Sequence, residues 1–342
     1  MAKEPRLLWQ AIDLQLHNPF RVSHGVSTTR QMHWVRLAGD VGWGESAIPP
    51  YYGIAQEAIT AVFDQAAQSS KPFPDDIAGI PDWIGTAGPA PARCALDLAL
   101  HDRIGRQRQQ PLYQILELSR PTPLATSFTI GIDSPEVMAE QARQIPNCPI
   151  IKVKLGGDGD EARIAAIREV RPDVKIRIDA NAAWSPETAV SRLQKLLPYN
   201  LELIEQPTPV DDIAGMGYVQ KHVNVPVVAD ESVQTLANVE ALAQAGVQGI
   251  NLKLMKVGGL AKGLQMLQRA RELGMKIMLG CMVESSLGVT AMTHLSGLAD
   301  WLDLDAPLLI KNDPFDGVHY DQNYVLHLPE RAGIGVELRI DV

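Results

Sequence analysis

Lys152 and Lys154 stand two residues apart in Ile150-Ile151-Lys152-Val153-Lys154-Leu155-Gly156, alternating with apolar residues. That spacing belongs to a β-strand that sends both ammonium groups to one face. On a solvated edge strand such lysines serve only to discourage strand pairing. The stretches that follow argue for more. Ile176-Arg177-Ile178-Asp179, Leu203-Ile204-Glu205, Val227-Val228-Ala229-Asp230 and Ile250-Asn251-Leu252-Lys253 each run as a short apolar strand into a charged residue near its C-terminal end. Asp179, Glu205 and Asp230 end three successive strands, and three carboxylates brought together repel one another unless a cation lies between them. An all-oxygen set with positions left for water or substrate suits Mg²⁺, one ion per subunit. Lys154 precedes this group and Lys253 follows it, so the two flank the metal from opposite sides. A lysine partly removed from water beside a cation and other ammonium groups has its neutral form favoured, as a proton-abstracting base requires. Lys152, on the same face as Lys154, adds to that effect or holds a substrate carboxylate oxygen.

These residues need a scaffold that gathers strand ends. Eight strand candidates alternate with helical stretches: 127–131, 150–155, 176–180, 201–205, 225–229, 249–254, 276–280 and 301–305. The helical spacing falls between them, over 160–170, 186–197, 236–245, 260–273 and 287–298. Near-continuous apolar strands in regular βα alternation mean a parallel sheet covered by helices, and eight of them predict a closed (β/α)₈-type barrel. An open doubly wound sheet is the other arrangement. It would want a Gly-rich phosphate loop after its first strand, and Gly131-Ile132-Asp133-Ser134 does not supply one. In a barrel the charged strand ends converge on one mouth.

Upstream, 7–16, 32–37 and 42–45 read as strands of a small antiparallel sheet with a turn at Gly39-Asp40. Two loops are expected, one over 18–27 and one over 48–53, in positions suited to recognition. Helical spacing covers 56–68 and 90–105, the latter apolar nearly all round and therefore buried between domains. Asp97, His101 and Asp102 on that helix read better as groups satisfied by neighbouring backbone than as metal ligands. The chain has 342 residues, 46% hydrophobic and 21% charged, with a formal charge of −9. That balance argues against a nucleic-acid surface and for a small-molecule partner. No signal-peptide pattern opens the sequence and no apolar run is long enough to span a bilayer, so a cytoplasmic protein without membrane contact is expected. Cys94, Cys148 and Cys281 are widely spaced and odd in number, which suggests packed thiols.

The set of strand-end residues resembles the enolase superfamily, and within it the muconate lactonising enzyme-like subgroup, which has K-x-K on the second barrel strand and a lysine on the sixth. The resemblance covers nearly the whole chain. It implies an N-terminal α+β capping domain over 1–120, the barrel over 121–315, and a segment over 316–342 that returns to the cap. By the same resemblance Asp179, Glu205 and Asp230 are Mg²⁺ ligands and Lys154 and Lys253 are acid/base lysines. The superfamily pattern of a lysine base with Mg²⁺ stabilising an enediolate then applies. Homo-oligomeric assembly is also expected. Two opposed lysines suit a 1,1-proton transfer, although relatives with this pair also dehydrate, cycloisomerise or racemise.

Among those relatives the Trp301-Leu302-Asp303-Leu304-Asp305-Ala306-Pro307 stretch is similar to the D-x-D of dipeptide epimerases, where the pair clamps the substrate ammonium. Two buried carboxylates without a metal partner call for such a cation. The resemblance further implies substrate contacts at Thr129, and at Ser285 or Ser286 of Gly280-Cys281-Met282-Val283-Glu284-Ser285-Ser286, beside the one read above for Lys152. One departure bears on the substrate. Epimerases acting on Ala-Glu carry an arginine in a P-F-K-T-A-L-R context, and aligned on Pro19-Phe20 this chain has His24-Gly25 there. Gly25 supplies no charge, although Arg21 and Arg30 are near enough in sequence to reach in by another route. The expected substrate is an L,L-dipeptide epimerised at its C-terminal residue, with apolar side chains favoured over Ala-Glu. The competing readings are an N-succinylamino acid racemase or o-succinylbenzoate synthase, whose substrates place an acyl group where paired aspartates would repel it, and a barrel that binds without catalysis.

Overall fold

The computed structural model describes residues 6–39 and 41–339. Its first unit is an antiparallel sheet of β1 (Leu7–Val22), β2 (Gly25–Leu37) and β3 (Trp43–Ala47) in the order β1-β2-β3. The loop expected over 18–27 is mostly strand. Phe20 pairs with Ser27, Arg21 with Val26 and Val22 with Gly25, so only Ser23 and His24 form the turn, after a register shift between Gln15 and Phe20. Pro19 and Gly25 mark an irregularity, but it is a bulge and a tight hairpin rather than a long loop. Gly25 takes φ 140°, which a side chain would resist. The turn expected at Gly39-Asp40 includes Asp40, which lies outside the described residues. Behind β3 runs the helix Ala90–Arg108, buried from Pro91 to Gly105 apart from Arg93 and Arg103. It approaches so closely that a Cβ on Gly42 or Gly44 would overlap the carbonyls of Ala99 or Ala95.

That helix also meets the barrel, as its all-round apolar character requires. Asp97 Oδ1 accepts from Leu260 N (2.6 Å), and His101 Nδ1 lies 2.8 Å from the Asp97 carbonyl. Asp102 accepts from Trp43 N (2.9 Å), from Ile334 N (2.7 Å) and from Arg106 (2.7 Å). These polar groups are thus tied to backbone and a neighbouring arginine, and one of them, Asp102, joins the helix to the end of the chain.

The barrel is one parallel sheet in the order β4 (Phe128–Ile130), β5 (Ile150–Lys154), β6 (Lys175–Asp179), β7 (Leu201–Glu205), β8 (Val227–Ala229), β9 (Gly249–Leu252), β10 (Lys276–Gly280) and β11 (Trp301–Asp303). A parallel bridge between Thr126 and Leu302, with Ser127 N donating to Leu302 O (3.2 Å), draws β4 and β11 together into a nearly closed barrel. Two strands end two residues earlier than expected. β9 stops at Leu252 because Lys253 heads a short helix, Leu254–Val257, and β11 stops at Asp303 because Asp305 heads another, Ala306–Leu309. Among the described residues no helix is long and apolar enough to cross a membrane, and the three cysteines are buried and free.

Candidate active site

Parallel register sets the ends of β5, β6 and β7 side by side: Lys154 pairs with Asp179, and Asp179 with Glu205. Asp230 follows β8 directly. As a result Asp179, Glu205 and Asp230 each place one carboxylate oxygen within 4.8 Å of the others, all three buried. Lysines surround them. Lys152 Nζ lies 3.0 Å from Asp179 Oδ2, 2.7 Å from Glu205 Oε2 and 2.7 Å from Asp303 Oδ2. Lys154 Nζ lies 2.6 Å from Asp179 Oδ2, and Lys253 Nζ 2.9 Å from Asp230 Oδ2. Lys154 ends β5 and Lys253 directly follows β9, so in strand order they lie on opposite sides of the triad, and both line the same cavity of about 260 Å³.

The electrostatics follow from this crowding. Burial alone would raise the Asp179 carboxyl, but Lys154 and Lys152 bring it below its usual range. Burial likewise opposes ionisation of Asp230, and Lys253 and Lys256 outweigh it to hold that carboxyl well below normal. Glu205 goes the other way: burial, then the charge of Asp179, push it well above the usual value. For Lys253, burial favours the neutral amine and Lys152 adds to that, yet Asp230 outweighs both and holds the ammonium charged. For Lys253 the neighbouring ammonium is thus one side of a balance that the carboxylate dominates. Lys152 behaves alike, with Asp303 and Glu205 overcoming burial.

Divalent-cation fit can be judged from the carboxylates themselves. Among the described residues Glu205 Oε2, which is buried, has no partner in hydrogen-bond geometry, although Lys152 sits beside it. An unsatisfied carboxylate oxygen in an all-oxygen triad is what a hard cation such as Mg²⁺ takes up, so the residues fit the ion.

The cavity places most of the other expected residues. Thr129, Lys152, Asp303 and Asp305 line it, and so do His24 and Gly25 of the hairpin and Tyr51, on which the His24 ring stacks at 4.9 Å. Asp303 already holds a cation: Lys152 at 2.7 Å, with Ser127 Oγ donating at 2.7 Å. Asp305 accepts from Thr129 N (2.7 Å), and burial followed by the charge of Asp303 pushes it up to about 6.

Ser285 and Ser286 do not line the cavity. Ser285 caps the helix Ser286–Thr293 and bonds to Glu45 of β3, its N donating to Oε1 at 2.8 Å, while Ser286 Oγ donates to Asp313 (2.6 Å). Their hydroxyls are claimed by buried carboxylates at the seam with the antiparallel sheet, and Cys281, Met282 and Val283 face the cavity instead. Of the two arginines near the hairpin, Arg30 reaches the cavity, buried, with Nη2 donating to Ser27 Oγ (3.1 Å) and Nε without a partner.

Three groups went unseen in the sequence: Asn181, whose N donates to Asp179 Oδ1 (2.9 Å), Asn251, whose Nδ2 donates to Glu205 Oε1 (2.9 Å), and Lys256, 2.5 Å from Asp230 Oδ1. Asn251 did carry a signal, standing two residues before Lys253 and so on the same strand face.

Residues 137–342 match the Enolase C-terminal domain-like family. The chain belongs to the enolase superfamily. Its place there is with the dipeptide epimerases: it is 37% identical over 331 residues to the L-Ala-D/L-Glu epimerase of Bacteroides thetaiotaomicron, covering 95% of this chain and 85% of that one. A solved dipeptide epimerase from Enterococcus faecalis, complexed with Mg and L-Leu-L-Tyr, superposes with a TM-score of 0.89 at 33% identity, over 97% of this chain and 99% of its own. An N-succinyl Arg/Lys racemase from Bacillus cereus superposes with a TM-score of 0.90 at 28% identity, over 98% and 95%.

Proposed function

We propose that the chain epimerises L,L-dipeptides at the α-carbon of the C-terminal residue by two-base proton transfer, with Lys154 and Lys253 as the bases and Asp179, Glu205 and Asp230 as Mg²⁺ ligands. The observation that carries this reading is the placement of Lys154 and Lys253 on opposite sides of the triad and in one cavity. Mg²⁺ held by the triad supplies positive charge that offsets the carboxylates' hold on the lysine protons and stabilises negative charge on the substrate carboxylate. One lysine, as the free amine, takes the α-proton, and the bond's electron pair passes into the carboxylate. The opposite lysine, as the ammonium, returns a proton to the other face. No atoms are lost, and the two lysines end with exchanged protonation states that solvent resets.

Asp305 and Asp303, which also line the cavity, receive the substrate ammonium. Asp305 is the more available of the two, since Asp303 already pairs with Lys152. This favours a dipeptide over an N-succinyl amino acid, whose acyl carboxylate would meet two aspartates. Phe20, Val22, Val26, Met282, Val283 and Leu309 give the cavity apolar walls, which supports apolar side chains, with Arg30 as the opposing feature. The same reading includes residues 1–120 as the cap, a cytoplasmic location and a homo-oligomer.

The test is incubation with Mg²⁺ and two substrate sets, L,L-dipeptides and N-succinyl amino acids, followed by chiral separation. Epimers from the dipeptides alone are expected, and turnover of the N-succinyl set alone would move the chain to the racemase reading. Including Leu and Glu at the second position weighs the apolar walls against Arg30.

A further inference from the structure

Each carboxylate of the triad has one oxygen tied back and one presented to the lysines that line the cavity. Asp179 Oδ1 is tied by Asn181 N (2.9 Å), Glu205 Oε1 by Asn251 Nδ2 (2.9 Å) and Asp230 Oδ1 by Lys256 Nζ (2.5 Å). The presented oxygens are Asp179 Oδ2, Glu205 Oε2 and Asp230 Oδ2, facing Lys154, Lys152 and Lys253.

Two of the ties are neutral and the third is a full charge. Lys256 has a side chain 0% exposed and lines none of the cavity, so it has no route to substrate. Its remaining hydrogen bonds go to the backbone oxygens of Asp230 and of Asn251 (3.1 Å). The local fold explains the placement. Lys253 heads the helix Leu254–Val257, which Gly258 and Gly259 end at once with φ 92° and 111°. That single turn sets two lysines three residues apart against opposite oxygens of one carboxylate.

We propose that Lys256 is a positioning residue for the metal site: its ammonium fixes the Asp230 carboxylate so that Oδ2 is presented to the divalent cation. The inference rests on Asp230 being a ligand. Partners that orient a ligating carboxylate are worth about 10–100-fold in metal affinity. Lys253 touches the presented oxygen instead, so its loss removes a competitor for the cation and leaves the orientation intact.

The experiment is calorimetric titration of Mg²⁺ into the full, metal-stripped chain, comparing wild type with Lys256→Met, Lys253→Met and Asp230→Asn. Lys256→Met is expected to bind Mg²⁺ about 10–100-fold more weakly, and Lys253→Met as tightly as wild type or tighter. Lys256→Gln keeps a donor on a shorter arm and replaces Lys256→Met if the latter does not fold, with a smaller loss in the same direction. Undiminished affinity in the Lys256 variants, or an equal loss in Lys253→Met, overturns the inference. Asp230→Asn separates the two layers of argument: if it binds Mg²⁺ like wild type, the ligand assignment itself falls, whereas loss of binding there with intact Lys256→Met overturns the positioning role alone.

Discussion

Replacing Glu45 with glutamine should change stability in a way that depends on pH. Glu45 is fully buried in β3 and accepts from Ser285 N (2.8 Å), from Ser285 Oγ and from Gly288 N (3.2 Å). Burial pushes its carboxyl from 4.5 up to about 7, against the pull of those hydrogen bonds and with help from Asp313. A carboxyl whose folded value lies above its unfolded one contributes stability that is fully present below the unfolded value and is lost as pH rises through the folded value. The full contribution is about 3 kcal/mol, and about 2.5 kcal/mol of it disappears between about pH 5 and about pH 8. Glutamine does not titrate, and its single carbonyl leaves at least one of the Ser285 and Gly288 donors unpaired, a loss of about 1–3 kcal/mol at any pH. Glu45→Gln should therefore be less stable than wild type near pH 5, with the gap closing or reversing near pH 8. Paired urea unfolding curves at the two pH values measure this. A wild-type minus variant difference that is the same at both would refute the argument, because it would mean that Glu45 folds in already ionised.

Asp305→Asn should raise the dipeptide KM about 10–100-fold, from the loss of a charge-assisted hydrogen bond to the ammonium, while Asp303→Asn, whose charge also holds Lys152, should lower kcat as well; steady-state kinetics on one dipeptide separates the two. Mg²⁺ at about a hundred times its dissociation constant should stabilise the fold by about 2.7 kcal/mol, seen as a higher melting temperature that chelator reverses and that Glu205→Gln does not show. Asp102→Ala should destabilise the chain by about 3 kcal/mol or more, since it leaves the N–H groups of Trp43 and Ile334 buried without an acceptor, and chemical denaturation reads that directly.

The barrel and its carboxylate triad were legible because period and placement coincide. An apolar strand of about five residues with a charge at its end, repeated from β5 to β9, leaves little choice once parallel register is assumed, and register then puts Lys154, Asp179 and Glu205 in one row. The short helices after Leu252 and Asp303 were hidden, since a single turn has no periodicity of its own. Ser285 and Ser286 were misplaced because a serine's partner is set by tertiary contact, and here Glu45 and Asp313 arrive from segments 240 and 27 residues away. Lys256 was invisible for a related reason: a lysine on an exposed turn and one buried against Asp230 look alike in a sequence. Asp303 illustrates the same limit: its need for a cation was foreseen, but its ion pair with Lys152 across the barrel was not.

The central claim is that Lys154 and Lys253 serve opposite faces of one α-carbon. It is tested most directly by following α-proton exchange in D₂O, by mass spectrometry, for each epimer of one dipeptide with Lys154→Ala and Lys253→Ala. Both variants should lose epimerisation, and each should retain exchange of one epimer only, the two variants retaining opposite ones. Exchange of both epimers by either variant, or of the same epimer by both, would contradict the two-base account.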